Sequence, residues 1–247
     1  MAIADQVSVS FLKTNFLAGV DLTFDDGTAY PDSLYQQSID AAISWLEADL
    51  EVVFDDATFT ERYDARDIDR NAFWLIHVNK RPIKSVTSLK ARYGSFDGVT
   101  FPVDWIHISS EIGGQLQVIP GPSSMGSFAF TSGVPLLIGD VFMPVEYMPL
   151  WWEITYTAGF TSLPKDLIHA IALKAALLPL DVAGDLIAGA GIANKSISVD
   201  GLSQTIGTTA SATNAGYGSR ILQYERELKA LLPQLRKRYR GKNMMVI

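Results

Sequence analysis

The chain is predicted to be an α+β protein: a helical core, built from an N-terminal helix and C-terminal helices, with an inserted antiparallel β-rich region. Three observations carry this. A helical apolar period runs through about residues 32–50 and returns after Gly159. Between them, from 51 to 160, short runs of aromatic and β-branched residues are separated by Gly, Pro and Ser breaks. No helical period intervenes between those runs, which argues for a small antiparallel sheet or barrel rather than βαβ units. The 247 residues are 48% apolar, enough to bury roughly 70–75% of the unfolded surface.

Residues 1–30 carry only an Asp-Gly turn signal at Asp26-Gly27. Pro31-Asp32-Ser33 then opens a helix, in which Ile39, Ile43, Leu46 and Leu50 make one stripe. Strands are predicted at Phe73–Val78, from Ile83 to a turn at Gly94, across Phe101–Ile108 around Trp105, at Gln115–Ile119, and at Trp151–Thr157. Alternation in the last places Trp152 and Ile154 on one face and Trp151, Glu153 and Thr155 on the other. After Pro164, Leu167, Ile168, Ile171, Ala172, Ala175 and Leu178 line a second helix, with Pro179 disturbing its end. Residues 189–217 are small and polar and read as a flexible arm, with a strand and turn at Ser196–Gly201. A last helix at about 218–240 uses Ile221, Tyr224, Leu228, Leu231, Leu232 and Leu235, and Pro233 predicts a kink or break. The expected divisions are therefore 1–50, 51–160, 161–188, 189–217 and 218–247.

Several chemistries are absent from the pattern. With no cysteine, disulfides, zinc–thiolate sites and cysteine nucleophiles are excluded. The histidines, His77, His107 and His169, are isolated from one another, and no HExxH, P-loop, GxGxxG or GxSxG occurs. The cluster Asp64, Asp67, Asp69 lacks the glycine and terminal glutamate of an EF-hand and is interleaved with Arg62, Arg66 and Arg70, which suits surface ion pairing better than cation binding. No catalytic residue, metal ligand or cofactor is expected. No signal-peptide pattern opens the chain, and no window reaches the ~18 uninterrupted apolar residues of a membrane span, so no membrane contact is expected.

Charge is segregated along the chain. Residues 1–70 hold 15 acids and 4 bases, whereas 220–247 hold 8 bases and 2 acids, in a protein of net charge −7. An acidic body argues against general duplex binding, and oppositely charged ends suit association between copies or docking to an acidic partner.

The order of motifs resembles a known family. The helix Ile39-Asp40-Ala41-Ala42-Ile43-Ser44-Trp45-Leu46-Glu47 is similar to the opening helix of tailed-bacteriophage head–tail connector (adaptor, head completion) proteins. Arg81-Pro82-Ile83-Lys84-Ser85-Val86-Thr87-Ser88-Leu89 and Phe101-Pro102-Val103-Asp104 look like two of that family's elements. The junction Ile154-Thr155-Tyr156-Thr157-Ala158-Gly159-Phe160, followed by Leu163-Pro164-Lys165-Asp166-Leu167-Ile168-His169-Ala170-Ile171, resembles its strand-to-helix step. The β-rich region and the long segment after 189 depart from the compact members.

The resemblance implies a non-enzymatic virion protein at the head–tail interface. It would form a homo-oligomeric ring, commonly of twelve copies, under the portal protein, extend the DNA channel without sequence-specific binding, and receive a neck, stopper or tail protein. It would pass through the host cytoplasm during assembly. Ring contacts are heterologous and need two different patches on each copy. Candidates for portal docking are Arg220, Arg226, Lys229, Arg236, Lys237, Arg238, Tyr239, Arg240 and Lys242. Candidates for contacts between copies are Asp64, Arg66, Asp67, Asp69 and Trp151. The alternatives are another virion structural part, such as a tail-completion or head-decoration protein, a carbohydrate-binding or hydrolytic module using the aromatics around Trp151, and a nucleic-acid binder.

Overall fold

Ser8 opens a helix: its Oγ accepts the Phe11 N–H at 3.2 Å, so α1 (Val9–Asn15) begins at an N-cap serine. A computed structural model describes residues 6–20, 22–24, 27–66, 74–92, 99–119, 147–188, 194–199, 202–207 and 217–240; only the backbone is described for residues 185–188 and for those between 194 and 207. The chain divides into two compact units. One takes the chain up to Leu50 together with Ser162–Lys237, and the other takes Glu51–Thr161 together with the chain from Arg238.

The first unit is helical. In α2 (Asp32–Leu50) the buried positions Tyr35, Ser38, Ile39, Ala42, Leu46 and Leu50 recur at spacings of three and four, as the period predicts. Helix α3 (Lys165–Ala188) packs against it. Leu167, Ala170, Ile171, Ala172, Leu173, Ala175, Ala176 and Leu180 are all buried, on nearly every side of the helix. Over Lys165–Gly184 this helix is long and apolar enough to cross a membrane by length and composition, but most of the stretch is packed inside its own unit.

Helix α3 lies inside the expected 161–188 and runs on through Pro179. One expectation for it fails: Leu178 is 52% exposed rather than buried. Losing one main-chain bond costs about 3 kcal/mol in a helix interior. Each fully buried Leu or Ile returns about 1.5–3 kcal/mol, so packing overrides the proline. Helix α4 (Gly218–Tyr239) likewise continues through Pro233, seating Ile221, Leu228 and Leu235 in the core of this unit. It is further tied to the turn after α1, because Tyr224 Oη donates to the Phe16 carbonyl at 2.9 Å and Arg220 Nη1 to the Ala18 carbonyl at 3.1 Å.

Between α3 and α4, β8 (Asn194–Val199) and β9 (Leu202–Gly207) pair antiparallel. The strand expected from Ser196 is therefore half of a hairpin. The remainder of 189–216 lies outside the described residues.

The second unit is built on β1 (Ala57–Arg66), β2 (Ile76–His77), β3 (Ile83–Ala91), β4 (Thr100–Phe101), β5 (Ile106–Ser110), β6 (Gln115–Val118) and β7 (Tyr147–Ala158). One sheet has the order β1-β7-β3-β4 and a second the order β2-β6-β5, and every pairing is antiparallel. Trp152, Ile154, Tyr156 and Ala158 alternate onto the buried face of the central strand β7. They share the core with Ile83, Leu89, Trp105 and Leu116. The single strand expected across Phe101–Ile108 is divided. Pro102 precedes a tight 3₁₀ turn (Val103–Trp105), closed by the Trp105 N–H on the Pro102 carbonyl at 3.1 Å, and the turn carries Trp105 inside at 1% exposure.

Strand β1 is absent from the sequence expectations. Its buried-side positions Phe59, Glu61, Tyr63 and Ala65 alternate with exposed Thr58, Thr60, Arg62 and Asp64. Glutamate in the apolar series hides the period.

Candidate functional site

Glu61 sits on the inward-facing positions of β1 because it has partners. The Tyr63 and Tyr156 hydroxyls both donate to its Oε2, the latter at 2.6 Å. These hydroxyl oxygens in turn accept the backbone N–H groups of Asn79 (2.9 Å) and Lys80 (3.1 Å). Burial, reinforced by the Glu61 carboxylate, pushes both phenols well above their ordinary range. The cluster thus fastens the 79–80 segment to the sheet with neutral phenols, and every polar group named has a partner.

Asp64 does comparable work at the end of β7. Leu150 has a positive φ of 51°, which breaks strict alternation, and the β1–β7 register shifts between Tyr63 and Ala65. Asp64 braces this irregularity by accepting the Leu150 N–H at 2.9 Å and the Tyr147 hydroxyl at 2.8 Å. The backbone hydrogen bond from Leu150, then that from Tyr147, holds the Asp64 carboxyl below its ordinary value. The same shift turns Trp151 inward beside Trp152, at 8% and 2% exposure. Trp151 is therefore part of its own unit's core, which corrects its assignment as a contact between copies, and Leu150, 55% exposed, takes the outward position. Arg66 is exposed at the end of β1. Asp67 and Asp69 lie outside the described residues.

The basic last helix is partly consumed within the chain. In the helical unit Arg236 grips Asp49 through two hydrogen bonds of 2.9 and 2.5 Å. In the β unit Arg240 makes a two-pronged contact with Glu51 Oε1 at 3.1 and 2.6 Å. Buried Arg81 reaches Glu51 Oε2 at 2.8 Å and the Arg240 carbonyl at 2.7 Å. The Arg240 hydrogen bond first, and the nearby Arg81, hold the Glu51 carboxyl low. Tyr239 is 3% exposed and packs edge-on against Phe160 at 5.9 Å, so it is a core residue and not a docking aromatic. Arg238 lies over the Tyr239 ring at 5.4 Å. Lys242 lies outside the described residues.

Arg226, Lys229 and Lys237 are exposed. At 100° per residue they fall within about 80° of one another on α4, on the same side as exposed Leu222 and Pro233. This basic stripe with an apolar end is what remains of the docking candidates once the internally bonded residues are removed.

The helical unit also carries a groove of about 520 Å³. Ala41, Ala42 and Trp45 of α2, Leu177 and Leu178 of α3, and Ile221 of α4 supply its apolar surface. Lys174 Nζ lies 4.9 Å over the Trp45 ring, and Asp181 and Glu225 add carboxylates. Sequence reasoning missed this groove. The available signal was Trp45, one position off the buried stripe of α2.

Among the described residues no group of three or more His, Asp or Glu could hold a metal ion. His77 and His107 are exposed at strand positions, and His169 Nε2 lies 2.8 Å from Glu227.

No protein-family model matches the chain, and no curated protein does. Among solved structures, a chain of the virion of a native gene transfer agent particle is similar, with a TM-score of 0.50 and 16% identity, covering 99% of this chain and 95% of that one. A chain from the neck of an empty gene transfer agent particle aligns at a TM-score of 0.42 and 20% identity, over 71% of this chain and 79% of that one. The first likeness is one of fold, and it runs through both units.

Proposed function

We propose that the chain is a head–tail adaptor of a tailed phage or phage-like particle, a structural virion protein that forms a ring under the portal. The observation carrying this reading is the end-to-end likeness of fold to a gene transfer agent virion chain. It agrees with the motif order from Ile39 to Ile171, which resembles the connector family.

In this role the ring, of about twelve copies as the family resemblance implies, extends the DNA channel and receives the next neck, stopper or tail component. The stripe Arg226, Lys229 and Lys237 docks on the portal, leaving Arg236 and Arg240 to their internal partners. The protein reaches its place from the host cytoplasm during assembly.

The test is native mass spectrometry of the protein alone and mixed with cognate portal rings. A defined multiple bound to each ring is expected. The triple reversal Arg226→Glu, Lys229→Glu, Lys237→Glu should lower portal affinity at least tenfold, about 1.4 kcal/mol, with the thermal midpoint little changed. A wild-type chain that ignores portal, neck and capsid components alike overturns the reading. Undiminished binding by the triple variant overturns the stripe. Deleting the whole helix is a poorer test, because Ile221, Leu228 and Leu235 belong to the core.

A further inference from the structure

We infer that the β8–β9 ribbon of one copy seats its apolar face in the α2–α3–α4 groove of a second copy. The register of the hairpin sets Val199 opposite Leu202, Ile197 opposite Gln204 and Lys195 opposite Ile206. Alternation places these six on one face. The other face collects Ser198 with Ser203, Ser196 with Thr205, and Asn194 with Gly207. One side thus holds four aliphatic residues, Ile197, Val199, Leu202 and Ile206, with Gln204 and a single cation, Lys195, and the other is small and mostly hydroxylated.

The two strands form a sheet of their own, and among the described elements their principal packing is with each other. A lone two-stranded hairpin is marginal in water, so an amphipathic ribbon of this kind gains stability when its apolar face is covered. The groove offers the complementary surface. Its flanks are apolar, with Trp45 37% and Leu178 52% exposed. Its charged residues, Lys174, Asp181 and Glu225, leave it with one net negative charge, against one positive charge, Lys195, on the ribbon face.

A second copy is the occupant the features favour, because ribbon and groove are two different patches of one chain. Such a pair makes a heterologous contact that repeats from copy to copy, the kind of contact a ring requires. The inference rests on the reading of the chain as a ring-forming virion protein, and it names that ring's contact.

The absence of cysteine makes the test clean. Single variants Ile197→Cys and Leu178→Cys are purified separately, mixed at high protein concentration and bridged with a short bis-maleimide. A covalent heterodimer is expected, at least tenfold more abundant than from Ser198→Cys mixed with Leu178→Cys, which uses the opposite ribbon face. The double variant Ile197→Cys/Leu178→Cys should give a ladder of covalent multiples. Bridging within one chain of the double variant, with none between the mixed single variants, overturns the proposal by making the ribbon's own groove its seat. No bridging in either form also overturns it. Native mass spectra of the unbridged samples, alone and on portal rings, then separate the two failures. Multiples without bridging leave the ring reading intact with a different contact, and monomers under both conditions remove the ring reading as well.

Discussion

A β-carbon placed on Gly159 would lie 2.2 Å from the Asp55 carbonyl oxygen and 2.9 Å from the Asp56 Cα, at a φ of +120°. The glycine of the Ala158-Gly159-Phe160 step is therefore required twice, by conformation and by space. Its N–H donates to the Pro82 carbonyl at 2.9 Å, and the next N–H, of Phe160, donates to the Phe54 carbonyl at 3.0 Å. Both bonds would be disturbed by any shift that relieved the clash. Strain at such a φ and overpacking each cost about 1–3 kcal/mol. Gly159→Ala is expected to destabilise the protein by roughly 2–5 kcal/mol, read as a lower thermal midpoint, and an unchanged midpoint would refute the close approach. Asp64 gives a second prediction. Its folded pKa is depressed chiefly by the Leu150 N–H, so its contribution is present above the ordinary value of 3.8 and is lost as pH falls through the lower folded value. Asp64→Asn should flatten the acid limb of the stability curve below about pH 4 and leave neutral-pH folding cooperative. An acid limb identical to the wild type would show that Asp64 braces nothing.

Helices survive their prolines at the scale of elements. Pro233 sits at an exposed position of α4, where it removes one main-chain donor, while Leu228 before it and Leu235 after it remain in the core of the helical unit. A helix-interior proline is worse than alanine by about 3 kcal/mol. Pro233→Ala is expected to raise the thermal midpoint, with a gain of about 1–3 kcal/mol after allowance for the relaxed native geometry. A loss would mean that a bend at Pro233 is needed to seat Leu235. The elements most legible in the sequence are those whose burial has one unbroken period: the spacing predicts α2 at about 32–50 and it spans Asp32–Leu50, and the predicted Trp151–Thr157 run lies inside β7. Legibility failed where a polar residue occupied a buried-side position or a turn interrupted the alternation. Glu61 masked β1 because its tyrosine partners come from β1 itself and from β7, 95 residues away. Leu150 defeated the face assignment of Trp151 because a positive φ at a leucine leaves no trace in composition. Leu178 was misplaced because α3 is apolar on nearly every side, so periodicity could not say which apolar residue is left exposed.

Charge is the property that changes most between the sequence and the whole molecule. Fifteen acids against 4 bases in the first 70 residues, and 8 bases against 2 acids from Arg220 onward, read as two poles available to partners. Folding spends part of that polarity inside the chain, through Asp49 with Arg236 and Glu51 with Arg240, pairs separated by 187 and 189 residues. No local pattern reveals such long-range neutralisation, and it is the fold that reduces the candidate docking set to the exposed stripe of α4. The net charge of −7 is untouched by internal pairing, and under the proposed adaptor role it bears on passage of DNA. A duplex binder gains affinity by neutralising phosphates with lysine and arginine, with log K falling by about 0.9 per phosphate for each unit of log salt. In the proposed adaptor role, a channel wall that did so would retain the duplex that the role requires it to let through. The isolated protein is therefore expected to show no duplex binding in an anisotropy titration at roughly 0.15 M salt, where charges beyond about 8 Å are screened. The triple variant of Arg226, Lys229 and Lys237 should be equally inert, because those residues are assigned to the portal and not to the duplex. Binding that steepens as salt is lowered and disappears in the triple variant would reassign the α4 stripe from portal docking to DNA, and the acidic body would then have to face away from the channel.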